Sequence, residues 1–280
     1  MGKFTVSTAS ADDMKLIADW AANEGWHPGD GDEGVFFATD PSGFLVGRLD
    51  EHPISAIAAI RYGSGLGWIG LYLTVPEYRG HGYGMRTWQA GMERLAGRVV
   101  GLEGVVSQQD NYRKSGFRDA WTTTRFEGVL AGAEAARGIE VVEAGEVPFG
   151  ELAEYDRRFF PSARDTFLAL WITEPGRHGV AAIRDDRVVG FAVRRPAADA
   201  DRIGPLFADG VDVAESLLAA LSTDYDMPVL IDVPGTNPEA AELVQRLGLK
   251  PSFDTARMYT GPTPSTDLPG TFAITTLELG

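Results

Sequence analysis

The sequence predicts an α/β protein of two domains in which the second is a divergent copy of the first. Segments of strand character alternate with segments of helical period in the order β, α, several β, loop, α, β, short α, β, and from Ile139 this pattern partly restarts. At 280 residues the chain exceeds one ordinary domain, so each half is long enough to bury its own core. With 44% hydrophobic and 23% charged residues, the composition lies in the globular range and outside that of disorder.

Lys3–Ser7 alternates like a strand. Ser10 then opens a helix, because Asp13 three residues on can accept from free amides of the first turn, and Met14, Ile17, Ala18 and Ala21 fall on one face. Gly25 stops this helix, and residues 26–32 read as a loop rich in turn formers. Gly34–Thr39, Gly43–Leu49 and Ile54–Tyr62 read as a meander of three short strands, split by Asp40-Pro41-Ser42 and Asp50-Glu51-His52-Pro53. Trp68–Val75 is a further strand, and Pro76 ends it. Met85, Trp88, Met92 and Leu95 stand at helical spacing, so the segment to about Gly97 buries one face. Val99–Ser107 and Gly116–Glu127 are strands.

An Ala/Gly-rich stretch from Gly128 to Gly138 marks the expected boundary between a domain of residues 1–130 and one of 138–280. The second half offers strands at Ile139–Val142, Gly179–Arg184, Arg187–Val193, Pro228–Val233 and Ser252–Tyr259, with helices around Phe149–Phe159, Val213–Leu221 and Pro238–Leu247. A Pro-rich link, Gly261-Pro262-Thr263-Pro264, leads to a last strand at Thr271–Glu278 whose partner sheet is not evident from sequence.

Bulk charge and residue usage exclude several classes of function. Forty acidic against 25 basic residues, a formal charge of −15, do not fit a nucleic-acid surface, since phosphate binding needs clustered Lys and Arg. Zero cysteines remove thiolate nucleophiles, disulfides and Cys-ligated zinc. No stretch approaches 18 apolar residues and the first ten have no apolar signal core, so neither a span nor a leader is expected. Val6 stands where a myristoylation signal needs Ser or Thr. A cytoplasmic protein, monomer or homodimer, is the expectation. His27, His52, His81 and His178 show no metal-ligand spacing, so no metal is implied. No Gly-x-Ser-x-Gly elbow supports serine-hydrolase chemistry.

The chemistry sits in Val75-Pro76-Glu77-Tyr78-Arg79-Gly80-His81-Gly82-Tyr83-Gly84-Met85, which joins a strand to a helix. The first amides of a helix have no internal partner and carry the positive end of its dipole, so a pyrophosphate accepts hydrogen bonds there. Glycines let the backbone approach phosphate oxygens closely. Gly80-x-Gly82-x-Gly84 lacks the Gly-Lys-Ser/Thr of a P-loop and the spacing of a dinucleotide loop. Arg79-x-x-Gly82-x-Gly84 in this context resembles the acetyl-CoA pyrophosphate loop of the GNAT acetyltransferase superfamily. Tyr112-Arg113-Lys114-Ser115-Gly116-Phe117 resembles that superfamily's Tyr-x-x-x-Gly-Phe segment, although Gln108–Asn111 is a shorter approach than most members have.

The resemblance implies two domains, each with a central mixed β-sheet flanked by helices, and acetyl-CoA as cofactor. Arg79, Gly80, His81, Gly82, Tyr83, Gly84 and Met85 would hold the pyrophosphate. Main-chain groups of Leu73, Thr74 and Val75 would pair with the pantetheine arm, and Asn111 would lie near it. Tyr112 would protonate the departing thiolate as general acid. A carboxylate on the preceding strand is often the base in the family, but Gly70-Leu71-Tyr72-Leu73 offers none, and Tyr72 is a candidate for substrate or water contact. Among the acids between residues 21 and 60, Glu24, Asp32 and Glu33 are the candidates for the acceptor side. In the second half the counterpart of the loop, Pro205–Gly210, lacks the motif and carries Asp209 where phosphate would be repelled, which implies one cofactor per chain and a C-terminal half that shapes the cleft. The expected function is transfer of an acetyl group to a primary amine of a small, cationic molecule or a peptide. The alternative is a non-catalytic CoA-binding sensor or interaction module.

Overall fold

The computed structural model describes residues 2–223 and 225–280. Its strands are β1 (Phe4–Thr8), β2 (Phe44–Leu49), β3 (His52–Tyr62), β4 (Leu66–Thr74), β5 (Val99–Val105), β6 (Arg118–Gly128), β7 (Glu140–Glu143), β8 (His178–Arg184), β9 (Arg187–Arg195), β10 (Asp201–Ala208), β11 (Val229–Pro234), β12 (Lys250–Tyr259) and β13 (Thr271–Ala273). The helices are α1 (Ala11–Asn23), α2 (Asp32–Thr39), α3 (Tyr83–Arg94), α4 (Gln109–Lys114), α5 (Phe149–Asp156), α6 (Asp165–Thr173), α7 (Val211–Ser222) and α8 (Pro238–Arg246). The fold class is the expected one, a mixed sheet flanked by helices.

Helix α1 begins as the capping residues dictate, with the Asp13 amide donating to Ser10 Oγ at 3.1 Å and the Ser10 amide donating to Asp13 at 2.7 Å. The expected strand at Gly34–Thr39 is instead α2. Gly31, at φ +75°, turns the chain into it, and Asp32 and Glu33 place negative charge in its first turn. A short apolar run such as Val35-Phe36-Phe37 does not tell strand from helix by period. Two further elements carried no clear period: α6, which buries Phe167, Leu168 and Trp171, and β10. Consequently residues 205–208, read as part of a loop, lie inside β10, and only Asp209-Gly210 joins that strand to α7.

The sheet is continuous across both halves, in the order β1-β2-β3-β4-β5-β12-β6-β11-β10-β9-β8-β7, with β13 beside β10. The halves exchange their late strands. β12 of the second half pairs with β5 over Gly101–Val105, and β6 of the first half pairs with β11 over Thr123–Gly128. β6 and β12 in turn pair with each other over most of their length. A further apolar layer crosses the same seam, where Phe36 stacks on Trp171 at 6.1 Å and Tyr62 packs edge-on to Phe160 at 4.8 Å.

In each half one parallel strand pair parts. β4 and β5 are paired only from Leu66↔Val99 to Ile69↔Leu102, and β10 and β11 only from Asp201↔Val229 to Ile203↔Ile231. In the second half the opening is closed by the chain itself. β13 pairs antiparallel with β10 at Leu206↔Ala273 and Phe207↔Thr271, and the Ile274 amide donates to the Asp232 carbonyl at 3.0 Å. The predicted last strand, Thr271–Glu278, is thus shorter than expected, and its residues 274–280 run on toward the first half.

Under the seam lies a buried chain of ions. Asp232 on β11 accepts from Arg125 on β6 at 2.7 and 3.0 Å and from Arg202 on β10 at 2.7 Å. Burial opposes ionisation of Asp232, but the charges and hydrogen bonds of the two arginines outweigh it and hold the carboxyl well below the usual range. Asp232→Asn leaves buried Arg125 without a counter-charge and Arg202 with Glu278 alone, and is expected to cost about 3–5 kcal/mol in urea unfolding at pH 7. Because the folded pKa is depressed, the stabilisation is present above about pH 4 and is lost as pH falls below it. The unfolding midpoint of the unmodified chain should therefore drop on acidification more steeply than that of the variant.

Candidate active site

The parting of β4 and β5 opens a cavity of about 950 Å³. A bulge starts it. Ala56 and Ala58 of β3 face Leu73 and Gly70 of β4, so β4 carries an extra residue there, and Leu71 takes φ +46°. Gly70–Thr74 then line one wall, and Leu102, Glu103 and Val105 the other.

At the mouth stands the glycine loop. Gly80 and Gly82 have φ of +77° and +81°, conformations that favour glycine, and Gly82 caps α3. The first helical bond of α3 runs from the Arg86 amide to the Gly82 carbonyl at 3.2 Å, so the amides before it have no intrahelical acceptor. No acidic residue occupies the first turn of α3, which leaves the positive end of its dipole uncompensated. A Cβ on Gly84 would lie 2.6 Å from Thr74 Oγ1 and 3.1 Å from Tyr72 Oη, so this glycine lets α3 approach the β4 wall. Arg79 is fixed from within, its Nε donating to the Thr74 carbonyl at 2.8 Å and its Nη2 pairing with Glu24.

Tyr112 lines the cavity from α4, and its ring lies 5.7 Å from Trp88 and 6.5 Å from Phe117. Burial, with a smaller contribution from Tyr72, pushes its phenol up to about 12, which keeps it a proton donor at neutral pH. Gly104 makes room for it. A Cβ there would stand 2.2 Å from Tyr112 Cε2. A glycine inside a strand signals such close approach, and Gly70 and Gly104 are the residues by which that signal was available and unread.

Of the residues expected at the cofactor, Leu73, Thr74, Arg79, Gly80, Gly82, Gly84, Met85, Asn111 and Tyr112 line this cavity together. Val75, His81 and Tyr83 do not. The Val75 amide bonds the Ile54 carbonyl at 2.9 Å, the His81 ring turns back to the Arg79 carbonyl at 2.8 Å, and Tyr83 packs on Phe4 at 5.0 Å. On the acceptor side Glu24 and Tyr72 line the cavity, whereas Asp32 and Glu33 do not. Asp32 is buried at the start of α2, where it pairs with Arg177 at 3.0 Å and Arg195 at 3.1 Å and accepts from the Gly29 amide at 2.9 Å. The structure thus places it in a buried ion cluster rather than on the acceptor side of the cavity, where the sequence reading expected it. Trp26, Glu103, Arg125, Phe253, Thr255 and Glu278 also line it, the last four groups brought by strand exchange and by the final segment rather than by any local motif.

At the corresponding turn of the second half, Asp209 accepts from Tyr155 Oη at 2.9 Å and from Arg158 at 2.8 Å, and Asp212 adds a carboxylate to the first turn of α7. Both carboxylates are paired there, Asp209 with Arg158 and Asp212 with Arg184.

Parted parallel strands above a glycine-capped helix N-terminus define the acyl-CoA N-acyltransferase class of fold. Residues 11–117 match the acetyltransferase (GNAT) family and residues 152–272 match an acetyltransferase (GNAT) domain. The holothin acyltransferase of a Pseudoalteromonas species is 30% identical over 280 residues, covering 99% of this chain and 95% of that protein. Among solved structures, an acetyltransferase of Pyrococcus horikoshii superposes with a TM-score of 0.84 at 21% identity, over 99% of this chain and 96% of that one. A tandem GNAT protein from the clavulanic acid biosynthesis pathway gives 0.64 at 14% identity, over 93% of this chain and all (100%) of that one. The chain belongs to the GNAT acetyltransferase family. It is an N-acetyltransferase with two GNAT domains in tandem, of a family whose enzymes use acyl-CoA.

The contact between Gly104 and Tyr112 is testable by a double-mutant cycle. Gly104→Ala is expected to cost about 1–3 kcal/mol in thermal unfolding through overpacking, and close to nothing in a Tyr112→Ala background where the ring is gone.

Proposed function

We propose that the chain transfers an acetyl group from acetyl-CoA to the primary amine of a small acceptor, with one cofactor per chain, bound in the N-terminal half. The observation that carries this reading is the gap between β4 and β5, whose free main-chain groups face a slot running from the α3 N-terminus to the Tyr112 ring. In this reading the amides of residues 80–85 and Arg79 hold the pyrophosphate, and main-chain groups of Leu73 and Thr74 pair with the pantetheine arm as a strand would. Asn111 lies alongside the arm. An amide of the bulged β4 wall donates to the thioester oxygen as negative charge develops there. Tyr112, kept protonated by burial, gives its proton to the departing sulfur.

The acceptor enters from the side lined by Glu24, Trp26, Tyr72 and Phe253. Three aromatic side chains suit an acceptor with an apolar body, and the formal charge of −15 favours one that arrives as a cation. Because its full-length relative is named for holothin, that compound belongs in the amine panel, together with tyramine as an aromatic primary amine. The second half does not bind a second cofactor, since β13 fills the opening between β10 and β11 and Asp209 faces the turn before α7.

Calorimetric titration with acetyl-CoA should give one site per chain, and acetyl-CoA should outperform longer acyl-CoA thioesters in a thiol-release assay with the panel. Two sites, or turnover of no amine, would overturn the reading. Gly82→Asp sets a side chain and a negative charge at a φ > 0 cap and should abolish binding, whereas Tyr112→Phe should lower kcat on the order of 100-fold or more with affinity for acetyl-CoA unchanged. With the phenol pushed up to about 12, Tyr112 stays protonated across the working range, so kcat/KM should show no alkaline fall below about pH 11.

A further inference from the structure

The acceptor amine must lose a proton as the amide forms, and β4, the strand nearest the reaction, brings no acid. Three carboxylates line the cavity: Glu24, Glu103 and Glu278. Glu24 is engaged by Arg79 at the mouth. Glu103, on β5, is saturated: Oε1 accepts from Thr123 at 2.9 Å and from Arg257 at 2.5 Å, and Oε2 from Thr255 at 2.9 Å. Glu278 differs. Its side chain is 6% exposed, Oε1 accepts from Arg202 Nη1 at 3.3 Å, and Oε2 is enclosed without a hydrogen-bond partner among the described residues.

Its position is as informative as its unmatched oxygen. Gly70 is the first residue beyond Ile69↔Leu102, the last parallel pair before the strands part. The Glu278 carbonyl is packed so closely on Gly70 that a Cβ there would lie 1.8 Å from it. Glu278 therefore occupies the crotch of the V, in the same cavity as Tyr72 and Tyr112. Arg202 divides its hydrogen bonds, with Nη2 committed to Asp232 at 2.7 Å and Nη1 also reaching the His27 carbonyl at 3.0 Å, and Arg195 is a second cation acting on Glu278. A buried charged oxygen left unmatched calls for a partner, and because Glu278 lines the cavity, a turn of its carboxylate offers that oxygen to the substrate.

We propose that Glu278, supplied by the C-terminal half, is the group that takes the proton of the acceptor amine bound in the N-terminal half. The inference rests on the gap between β4 and β5 being the acetyl-CoA slot. The amine nitrogen attacks the thioester carbonyl carbon, a C–N bond forms and the C–S bond breaks. Before the attack the bound ammonium gives one proton to Glu278 Oε2; as the amide forms the nitrogen loses its second proton to solvent, and the Tyr112 proton passes to the sulfur. Glu278 then releases its proton to solvent and Tyr112 regains one, so the chain is unchanged after each cycle. The charged groups acting on Glu278 are Arg202 on β10 and Arg195 on β9; Arg202 also faces Asp232 on β11, which pairs with Arg125 on β6, and both arginines face Asp32 on α2. Tyr72 and Tyr112 face the same cavity as neutral phenols, both raised by burial.

The test uses the full chain with acetyl-CoA and the panel containing holothin and tyramine. Glu278→Gln should bind acetyl-CoA as the unmodified chain does and lose on the order of 100-fold in kcat/KM at neutral pH. The deficit should narrow as pH is raised toward the amine's own pKa, because solvent then supplies the neutral nucleophile. Glu278→Asp, which keeps the charge but withdraws it by one methylene, should lose about tenfold and narrow in the same way. Full turnover by Glu278→Gln, or a deficit in both variants that stays constant with pH, would overturn the assignment. Failure of the underlying reading shows elsewhere, as absent acetyl-CoA binding or absent turnover in the unmodified chain.

Discussion

Two parallel strands that part leave main-chain donors and acceptors facing an open gap, and such groups must find partners. The chain meets this constraint twice, with opposite solutions. Between β10 and β11 it inserts its own β13. Between β4 and β5 it inserts no strand, and a cavity opens there instead. What distinguishes the two halves is thus less the loss of a motif than the presence of three residues, Thr271–Ala273, which make the second opening a closed piece of sheet.

The same segment ties the filled gap to the open one. After β13 the chain runs to Thr275, whose hydroxyl accepts from Arg164, and to Leu279, whose carbonyl accepts from Tyr62 Oη at 3.0 Å. Arg164 is itself held by Asp156 at 2.7 and 2.9 Å. Residues between these anchors have little freedom, which is how a side chain from the second half is held beside Gly70 of the first. The ion chain Arg125–Asp232–Arg202–Glu278 runs beneath, so the carboxylate at the crotch belongs to a network whose other members are structural.

How much of this was legible depended on whether the information was local. The capping box at Ser10, the glycine loop and the approach to Tyr112 each sit within a few residues, and the structure gathers Arg79, Gly82, Gly84, Asn111 and Tyr112 around one cavity. α2 was misread because its apolar run has no clean period, and Asp32 was placed at the acceptor side because an exposed loop was expected where a buried ion cluster stands. Glu103, Arg125 and Glu278 carried no signal. Their neighbours are set by strands that pair across more than a hundred residues, and no pattern of spacing encodes such a meeting. Gly70 and Gly104 are the intermediate case, glycines inside strands whose missing side chains are explained only by what lies opposite them.

The strand exchange has a consequence for how the molecule is made. Tyr259 of β12 lies opposite Gly101 of β5 and near Arg118 of β6, so the sheet of the first half is incomplete until residue 259 is available to it. During synthesis residues 250–259 must be made before β5 gains its neighbour on the side away from β4. Contacts of such long sequence separation form late and slowly, and until then the bare edge of β5 is a template for other chains. Nascent copies crowded on one messenger share that hazard until β12 is in place.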